Sequence, residues 1–98
     1  MSRDAVIVST ARTPIGRAYK GGFNATPGAT LGSYSFAAAV ERAGIDAGEI
    51  DDVVWGSALQ QGTQGGGLGR LVALRGGAPV TVSGQTIDRQ CSSGLMSI

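Results

Sequence analysis

Cys91 is the only cysteine of this 98-residue chain, and it stands in the stretch DRQCSSGL at residues 88–95. A thiolate is a nucleophile, but the thiol normally needs a base to take its proton. The chain contains no histidine that could serve as this base. By residue type alone, a lone cysteine is more often an inert, small apolar side chain. Two interpretations of Cys91 therefore stand side by side, a reactive thiol and a buried structural one.

The position of Cys91 favours the reactive thiol. It lies between a predicted strand over about residues 80–87 and a predicted helix that begins near residues 91–93. The positive end of a helix dipole stabilises a thiolate. The small residues at 92–94 leave room around the sulfur and expose backbone N–H groups that can hold an oxyanion. The stretch fits neither the G-x-S-x-G elbow nor the papain-like pattern, so position predicts an activated thiol capable of acyl chemistry and nothing narrower.

Other residues of chemical interest have stronger structural interpretations. The stretch GTQGGGLGR at 62–70 lacks the spacing of both G-x-G-x-x-G and the Walker A motif. A flexible loop that enters a helix is favoured there, although amides at a helix start can meet an anion. Arg12 and Arg70 could each hold a phosphate, but pairing with loop carbonyls or an acid is favoured. Trp55, at a strand end, is expected in the core.

Three apolar runs predict the strands that position these residues, at 5–8, 53–55 and about 80–87. The first is a continuous β-branched run without alternation, which is typical of an interior parallel strand covered on both faces. The apolar parity of the third changes across Gly84, which indicates a bulge or a close backbone approach.

Helices are predicted between the strands. The first is expected over residues 31–43, with Thr30 as its cap and Gly44 ending it. Asp46 and Glu49 have capping-box spacing, so a capping role is favoured over catalysis. A short helix is expected near residues 68–75, and a third begins near Cys91.

The resulting order is β-α-β-α-β-α. Short crossovers between buried strands predict parallel pairing with right-handed connections. Ligands bind in loops at the carboxyl ends of such strands, and Cys91 lies in one of these loops. Because the chain stops at Ile98, in the middle of a predicted helix, we expect residues 1–98 to be an incomplete part of a longer domain.

Composition excludes several classes of function. The chain is 42% hydrophobic and 15% charged, with a formal net charge of +1. So small a charge predicts no nucleic-acid or anionic membrane partner. No apolar run approaches the roughly 20 residues that a membrane helix needs. One cysteine cannot form an internal disulfide, which fits the cytoplasm.

Three stretches together resemble the N-terminal quarter of thiolases, the acetyl-CoA acetyltransferases and 3-ketoacyl-CoA thiolases. They are DAVIVSTARTPIGRAYKGGF, IDDVVWGSALQQGTQGGGLGRLVALRGG and VTVSGQTIDRQCSSGLMSI, in the expected order. TIDRQCSSGLM is the most specific of these segments, and ARTPIG is moderately specific. The sequence departs from the family at Gly66 and Gly67, where extra glycines loosen the loop before Arg70.

The resemblance implies a fold and a reaction. The fold is an α/β thiolase-like βαβαβα half-domain, part of a five-stranded mixed sheet with helices on both faces. Cys91 matches the family's catalytic nucleophile, which takes an acyl group from acyl-CoA as a thioester. Transfer then leads to thiolysis of 3-ketoacyl-CoA or to condensation of two acetyl-CoA molecules. The implied substrate is coenzyme A or acyl-CoA, with no permanently bound cofactor and no metal.

The resemblance also implies partners. The family's base histidine and its second cysteine lie in the C-terminal half, so the remainder of the same polypeptide is an expected partner. A homodimer or homotetramer with a role in fatty acid metabolism is expected, and the isolated 98 residues are expected to be inactive. The alternative function is a non-catalytic acyl-CoA- or lipid-binding protein of thiolase fold.

Overall fold

The computed structural model describes residues 3–98, which form an α/β arrangement. The helices are α1 (Gly28–Ala43), α2 (Leu68–Arg75) and α3 (Ser93–Ser97), and the strands are β1 (Asp52–Gly56) and β2 (Ser83–Ile87). Two short 3-10 helices lie at Ala47–Glu49 and Gly62–Gln64. The strands pair in parallel, in a register that runs from Asp52 beside Ser83 to Gly56 beside Ile87. The predicted α/β class and the parallel pairing are thus confirmed.

Helix α1 begins earlier than its apolar pattern indicates. It follows Pro27, which makes no side-chain capping hydrogen bond, so Thr30 lies inside the first turn and is not the cap. The apolar stripe marks only the part of a helix that packs, and the small residues Gly28 and Ala29 carry no such signal. At the other end Gly44 adopts φ 69° and donates its N–H to the carbonyl of Glu41, as predicted for a C-terminal glycine.

The core forms where α2 covers the two strands. Its buried apolar residues come from α2, from both strand regions and from the segment between them: Val53, Leu68, Val72, Ala73, Ala78 and Val82. Phe36 of α1 and Trp55 of β1 pack against this cluster. The expectation that Trp55 belongs to the core is therefore confirmed.

Two glycines let α2 lie directly on β2. A Cβ at Gly69 would collide with the backbone carbonyl of Gln85, and one at Gly84 would lie 2.8 Å from the Cα of Arg70. The β1–β2 register continues unbroken through Gly84. Of the two readings of the parity change at Gly84, the structure therefore shows the close approach and not the bulge.

Polar groups complete the contact between α2 and β2. The N–H of Gly69 donates to the hydroxyl of Thr86 at 2.9 Å. The guanidinium of Arg70 donates to the carbonyls of Val80 and Val82. Arg70 thus pairs with loop carbonyls, which is the structural role favoured by its sequence context.

The predicted strand over residues 5–8 does not form. Residues 5–8 carry no strand assignment, and Val6 and Ile7 are each 73% exposed. They line an apolar gap of about 610 Å³ that α1 and β1 border from the other side. An interior strand needs backbone partners and apolar cover on both faces, and residues 3–98 do not supply them here. The β-branched run at residues 5–8 is therefore an exposed apolar segment, because no other described residues pack over its side chains.

Side chains at the start of the two strands hold the sheet together. Asp52 accepts hydrogen bonds from the Gln85 amide at 2.7 Å and from the Ser83 hydroxyl at 2.9 Å. These two donors, the amide first, hold the pKa of the Asp52 carboxyl below its usual range, because they stabilise the charged form. Nearby, Asp46 accepts from the N–H of Gly48 at 3.1 Å, which is the predicted capping role.

The lowered pKa of Asp52 predicts how stability depends on pH. A carboxyl with a depressed folded-state pKa stabilises the fold above its unfolded pKa of about 4, and this contribution is lost as pH falls through the folded pKa. In a polypeptide containing these residues, Asp52→Asn should therefore lose less stability than wild type between pH 5 and pH 2. Urea unfolding at each pH measures the difference. Asp51→Asn is the matched control, since the Asp51 side chain makes no hydrogen bond within residues 3–98, and equal slopes for both variants would contradict the role of Asp52.

The exposed apolar residues predict the behaviour of the 98-residue chain in isolation. Ile15, Ile98, Val80 and Leu95 are each more than three-quarters exposed, at 95%, 87%, 78% and 77%. A chain with so much uncovered apolar surface has little to gain from unique packing. We expect the isolated chain to unfold over a broad temperature range by calorimetry and circular dichroism. A sharp transition with equal calorimetric and van't Hoff enthalpies would contradict this expectation.

Candidate active site

Cys91 lies beyond the carboxyl ends of both strands. The ladder extends one step past β1, where the N–H of Ser57 donates to the carbonyl of Ile87 at 2.9 Å. Residues 88–92 then lead from the end of β2 to the start of α3. The predicted location of Cys91, in a loop at the carboxyl edge of the sheet, is confirmed.

The turn that presents Cys91 begins with a local hydrogen bond. The carboxylate of Asp88 accepts from the N–H of Gln90 at 2.8 Å. Gln90 adopts φ 51°, a left-handed conformation that costs free energy in a residue with a Cβ. Such a conformation persists only where the surroundings enforce it. The residue directly before Cys91 is therefore held in place by its neighbours.

Ser93 supplies the second restraint on the turn. Its side chain is buried, with the residue 5% exposed. The hydroxyl accepts from the N–H of Arg89 at 2.9 Å and donates to the carbonyl of Gln90 at 2.7 Å. It thus ties both residues that precede Cys91 to the first turn of α3. Sequence reasoning treated Ser93 only as a small residue, although a serine at a predicted helix start is a signal for side-chain-to-backbone bonds.

The thiol and two amides beside it are open. Cys91 is exposed. Within residues 3–98, no hydrogen bond engages the N–H groups of Cys91 or Gly94. Backbone donors next to a nucleophile are the groups that stabilise the negative charge of an acyl-transfer intermediate. Among residues 3–98, no side chain covers Cys91, which favours the interpretation as a reactive thiol.

Gly56, the last residue of β1, packs against the backbone at the start of α3. A Cβ at this position would collide with the carbonyl group of Ser93 and would lie 2.6 Å from the nitrogen of Gly94. The last residue of β1 and the first turn of α3 are therefore in direct backbone contact. Only glycine permits this contact, because every other residue would place an atom there.

Within residues 3–98, Cys91 has neither a histidine base nor the large cavity beside it. The chain has no histidine, and residues 3–98 contain no cluster of metal-ligating side chains. The cavity of about 590 Å³ beside the amino end of α1 is lined by Arg17, Trp55 and Gln64 among others, and Cys91 is not among its lining residues. The candidate thiol and its neighbouring amides thus have no histidine base beside them in this chain.

The remaining sequence candidates have structural roles. Arg12 donates to the carbonyl of Thr13 at 3.4 Å, a local contact in an exposed loop. Gly66 and Gly67 adopt φ 70° and 81°, and Gly67 precedes α2 as its cap. These glycines turn the chain into the helix, as the loop interpretation of GTQGGGLGR predicted. No helix within residues 3–98 has the length and apolar character needed to cross a membrane.

Comparison with known proteins gives a consistent result along the whole chain. The family model described as "Thiolase, N-terminal domain" matches residues 5–98. A 3-ketoacyl-CoA thiolase of Bacillus subtilis (strain 168) is 42% identical over 96 residues, which are 98% of this chain and 25% of that protein. The mitochondrial acetyl-CoA acetyltransferase B of Xenopus laevis is 42% identical over 95 residues, 97% of this chain and 22% of that protein.

A solved structure shows the same similarity in three dimensions. It is that of an acetyl-CoA acetyltransferase from Syntrophomonas wolfei, with a TM-score of 0.84 and 37% sequence identity over 94% of this chain and 23% of that chain. The chain thus spans about a quarter of the length of these relatives.

The Ser93 hydrogen bonds predict a stability difference between two adjacent serines. Ser93→Ala leaves the N–H of Arg89 without its partner and removes one of the two hydrogen bonds to the carbonyl of Gln90, and each hydrogen bond lost costs about 0.5–1.5 kcal/mol. Ser92→Ala is the matched control, because Ser92 is exposed and its side chain makes no capping bond. We expect that variant to stay within about 0.5 kcal/mol of wild type. Urea unfolding of a polypeptide containing these residues gives both values, and equal costs would refute the role of Ser93.

Proposed function

The chain belongs to the thiolase family, and on that premise we propose that the protein carrying it transfers acyl groups through a thioester on Cys91. The observation that carries the proposal is the exposed thiol, which stands beside two unengaged backbone amides at the carboxyl edge of the sheet. Relatives named 3-ketoacyl-CoA thiolase and acetyl-CoA acetyltransferase support acyl-CoA as the substrate.

The first half-reaction uses groups that this chain supplies. The Cys91 thiolate attacks the carbonyl carbon of acyl-CoA, and the carbonyl oxygen becomes an oxyanion. The N–H groups of Cys91 and Gly94, which have no hydrogen-bond partner within residues 3–98, are the proposed donors to this oxyanion. When the intermediate collapses, the C–S bond to coenzyme A breaks and the acyl group stays on Cys91 as a thioester. Coenzyme A leaves as a thiolate that must take up a proton.

The proton transfers need groups beyond these residues. Cys91 must lose a proton before it attacks, and a thiol is mostly protonated at neutral pH without a neighbouring base or cation. The chain has no histidine. We therefore infer that the base, and the acid that protonates coenzyme A, come from other parts of the whole protein. The same reasoning makes the isolated 98 residues inactive.

The second half-reaction returns the thiol. In condensation, an acetyl-CoA carbanion attacks the thioester formed from acetyl-CoA, a 3-ketoacyl-CoA is released and the Cys91 thiolate is regenerated. In thiolysis, the Cys91 thiolate instead attacks the 3-keto carbon of 3-ketoacyl-CoA, the bond between C2 and C3 breaks, and acetyl-CoA leaves as a carbanion that takes up a proton. Attack of coenzyme A on the resulting thioester then releases the shortened acyl-CoA and regenerates the Cys91 thiolate. Both are ping-pong schemes that share the Cys91 thioester. We propose that the whole enzyme takes part in fatty acid metabolism in the cytoplasm, as a homodimer or homotetramer, with no permanently bound cofactor. The name of one relative places that protein in mitochondria.

The thioester is directly testable in the full-length protein that carries this chain. Brief incubation with labelled acetyl-CoA should attach the label to Cys91, and hydroxylamine should release it, because thioesters are cleaved by this nucleophile. Cys91→Ala should remain unlabelled. Wild-type protein pretreated with iodoacetamide is the control that keeps the sequence intact and blocks only reactive thiols.

Two results would count against the proposal. Full label retention in Cys91→Ala would assign the acyl group to another residue. Saturable acyl-CoA binding by wild type without any label would favour the alternative, an acyl-CoA-binding protein of thiolase fold without catalysis.

A further inference from the structure

We propose that Gly56 is a positioning residue for the acyl transfer, because its missing side chain sets the place of Cys91 relative to the sheet. The inference rests on the proposed thioester at Cys91 and adds a residue that lies 35 positions earlier in the sequence. The proposed role of Gly56 requires no contact with the substrate or with the Cys91 sulfur. It acts through the backbone of Ser93 and Gly94, which it contacts directly.

The contact at Gly56 is backbone against backbone. A Cβ there would meet the carbonyl carbon and oxygen of Ser93 and the nitrogen of Gly94, all of them main-chain atoms. Flexible side chains can rotate away from an added methyl group, but a peptide unit in the first turn of a helix moves only with the helix. An alanine at position 56 must therefore push the start of α3 outward by roughly 1 Å, the scale of shift that matters for near-attack geometry.

The turn beside α3 transmits such a shift to Cys91. The Ser93 hydroxyl binds the N–H of Arg89 and the carbonyl of Gln90. The N–H groups of Ser92 and Ser93 donate back to the carbonyls of Arg89 and Gln90, at 3.0 and 3.2 Å. Residues 89–93 thus form one hydrogen-bonded unit with Cys91 inside it. When Ser93 moves, these hydrogen bonds pass part of the displacement to the backbone around Cys91.

A methyl group at position 56 is expected to displace the Gly94 amide more than the Cys91 amide. The nitrogen of Gly94 is among the three atoms nearest to a Cβ at Gly56, whereas no atom of Cys91 is. A push at Gly56 therefore changes the position of the Gly94 N–H relative to the Cys91 N–H and to any acyl group held by the rest of the protein. Oxyanion stabilisation depends on donors set about 3 Å from the developing charge. Acyl transfer should suffer more than the simple reactivity of the thiol.

The test compares two glycine-to-alanine changes in the full-length protein. Gly56→Ala adds a methyl group against the backbone of α3. Gly48→Ala adds the same group where its nearest neighbours, Asp46 and Pro79, are at 3.6 and 3.7 Å, an ordinary contact distance. Gly48 lies near the start of β1, at the opposite end of the strand from Gly56. The pair therefore separates the added bulk from the general effect of replacing a glycine.

Two rates report on position and on reactivity. The single-turnover rate of Cys91 acylation by labelled acetyl-CoA requires the amides and the substrate to be aligned. Alkylation of Cys91 by iodoacetamide requires only an accessible thiolate. For Gly56→Ala we expect acylation to fall on the order of 100-fold, with a much smaller change in alkylation. Gly48→Ala should match wild type in both. Wild-type acylation in Gly56→Ala, or an equal fall of both rates, overturns the inference.

A crystal structure of full-length Gly56→Ala keeps this test separate from the proposed function. We expect the carbonyl of Ser93 and the amide of Gly94 to be displaced away from residue 56, and an unchanged position of α3 overturns the inference even if no variant is active. Absence of label on wild type would instead defeat the proposed thioester. If Gly56→Ala does not fold, Ser93→Ala loosens the same unit without added bulk. In folded Ser93→Ala, acylation must again fall more than alkylation, and wild-type acylation overturns the inference.

Discussion

The described fold depends on direct contact between helix backbone and strand backbone. Gly69 of α2 lies on Gln85 of β2, Gly84 lies on Arg70, and Gly56 lies under Ser93 of α3. At each of these contacts a side chain would occupy space that main-chain atoms already fill. Interiors are packed as densely as organic crystals, so a neighbour cannot absorb an extra methyl group without moving. The glycines consequently allow α2 and α3 to approach the sheet closely, while the buried apolar side chains of α2 form the core against it.

The same contacts explain how much of the fold could be predicted. A glycine at a parity change, as at Gly84, indicates a bulge or a close approach, and only the structure decides between the two. Gly44 and the stretch 65–67 likewise marked a helix end and a turn into a helix. Gly56 gave no comparable signal, because a glycine after an apolar strand reads as the start of a loop. Its partner, Ser93, is 37 positions away, and a contact at that separation is visible only in three dimensions.

The expected strand at residues 5–8 shows where local sequence misleads. The β-branched run is a correct signal for apolar surroundings, but a strand is a pairing and needs a neighbour. The described residues leave these side chains exposed beside an apolar gap. By contrast, the helix over 28–43 forms from its own backbone hydrogen bonds, and its carboxyl end lies at Gly44, as predicted. Local elements were therefore more predictable than elements completed by distant chain.

The candidate site divides in the same way. Residues 88–94 contain the thiol proposed as the nucleophile, two backbone amides without hydrogen-bond partners and the turn that holds them. The chain has no histidine that could act as the proposed base. The proposed thioester chemistry depends on the relative placement of groups that are distant in sequence. Gln90, in its left-handed conformation, is held by hydrogen bonds to Asp88 and Ser93, and Ser93 in turn lies against Gly56. Strain in the residue before a nucleophile persists because several independent contacts enforce it. Hydrogen bonds and backbone contacts made within the chain itself thus restrain the turn that carries the Cys91 thiol.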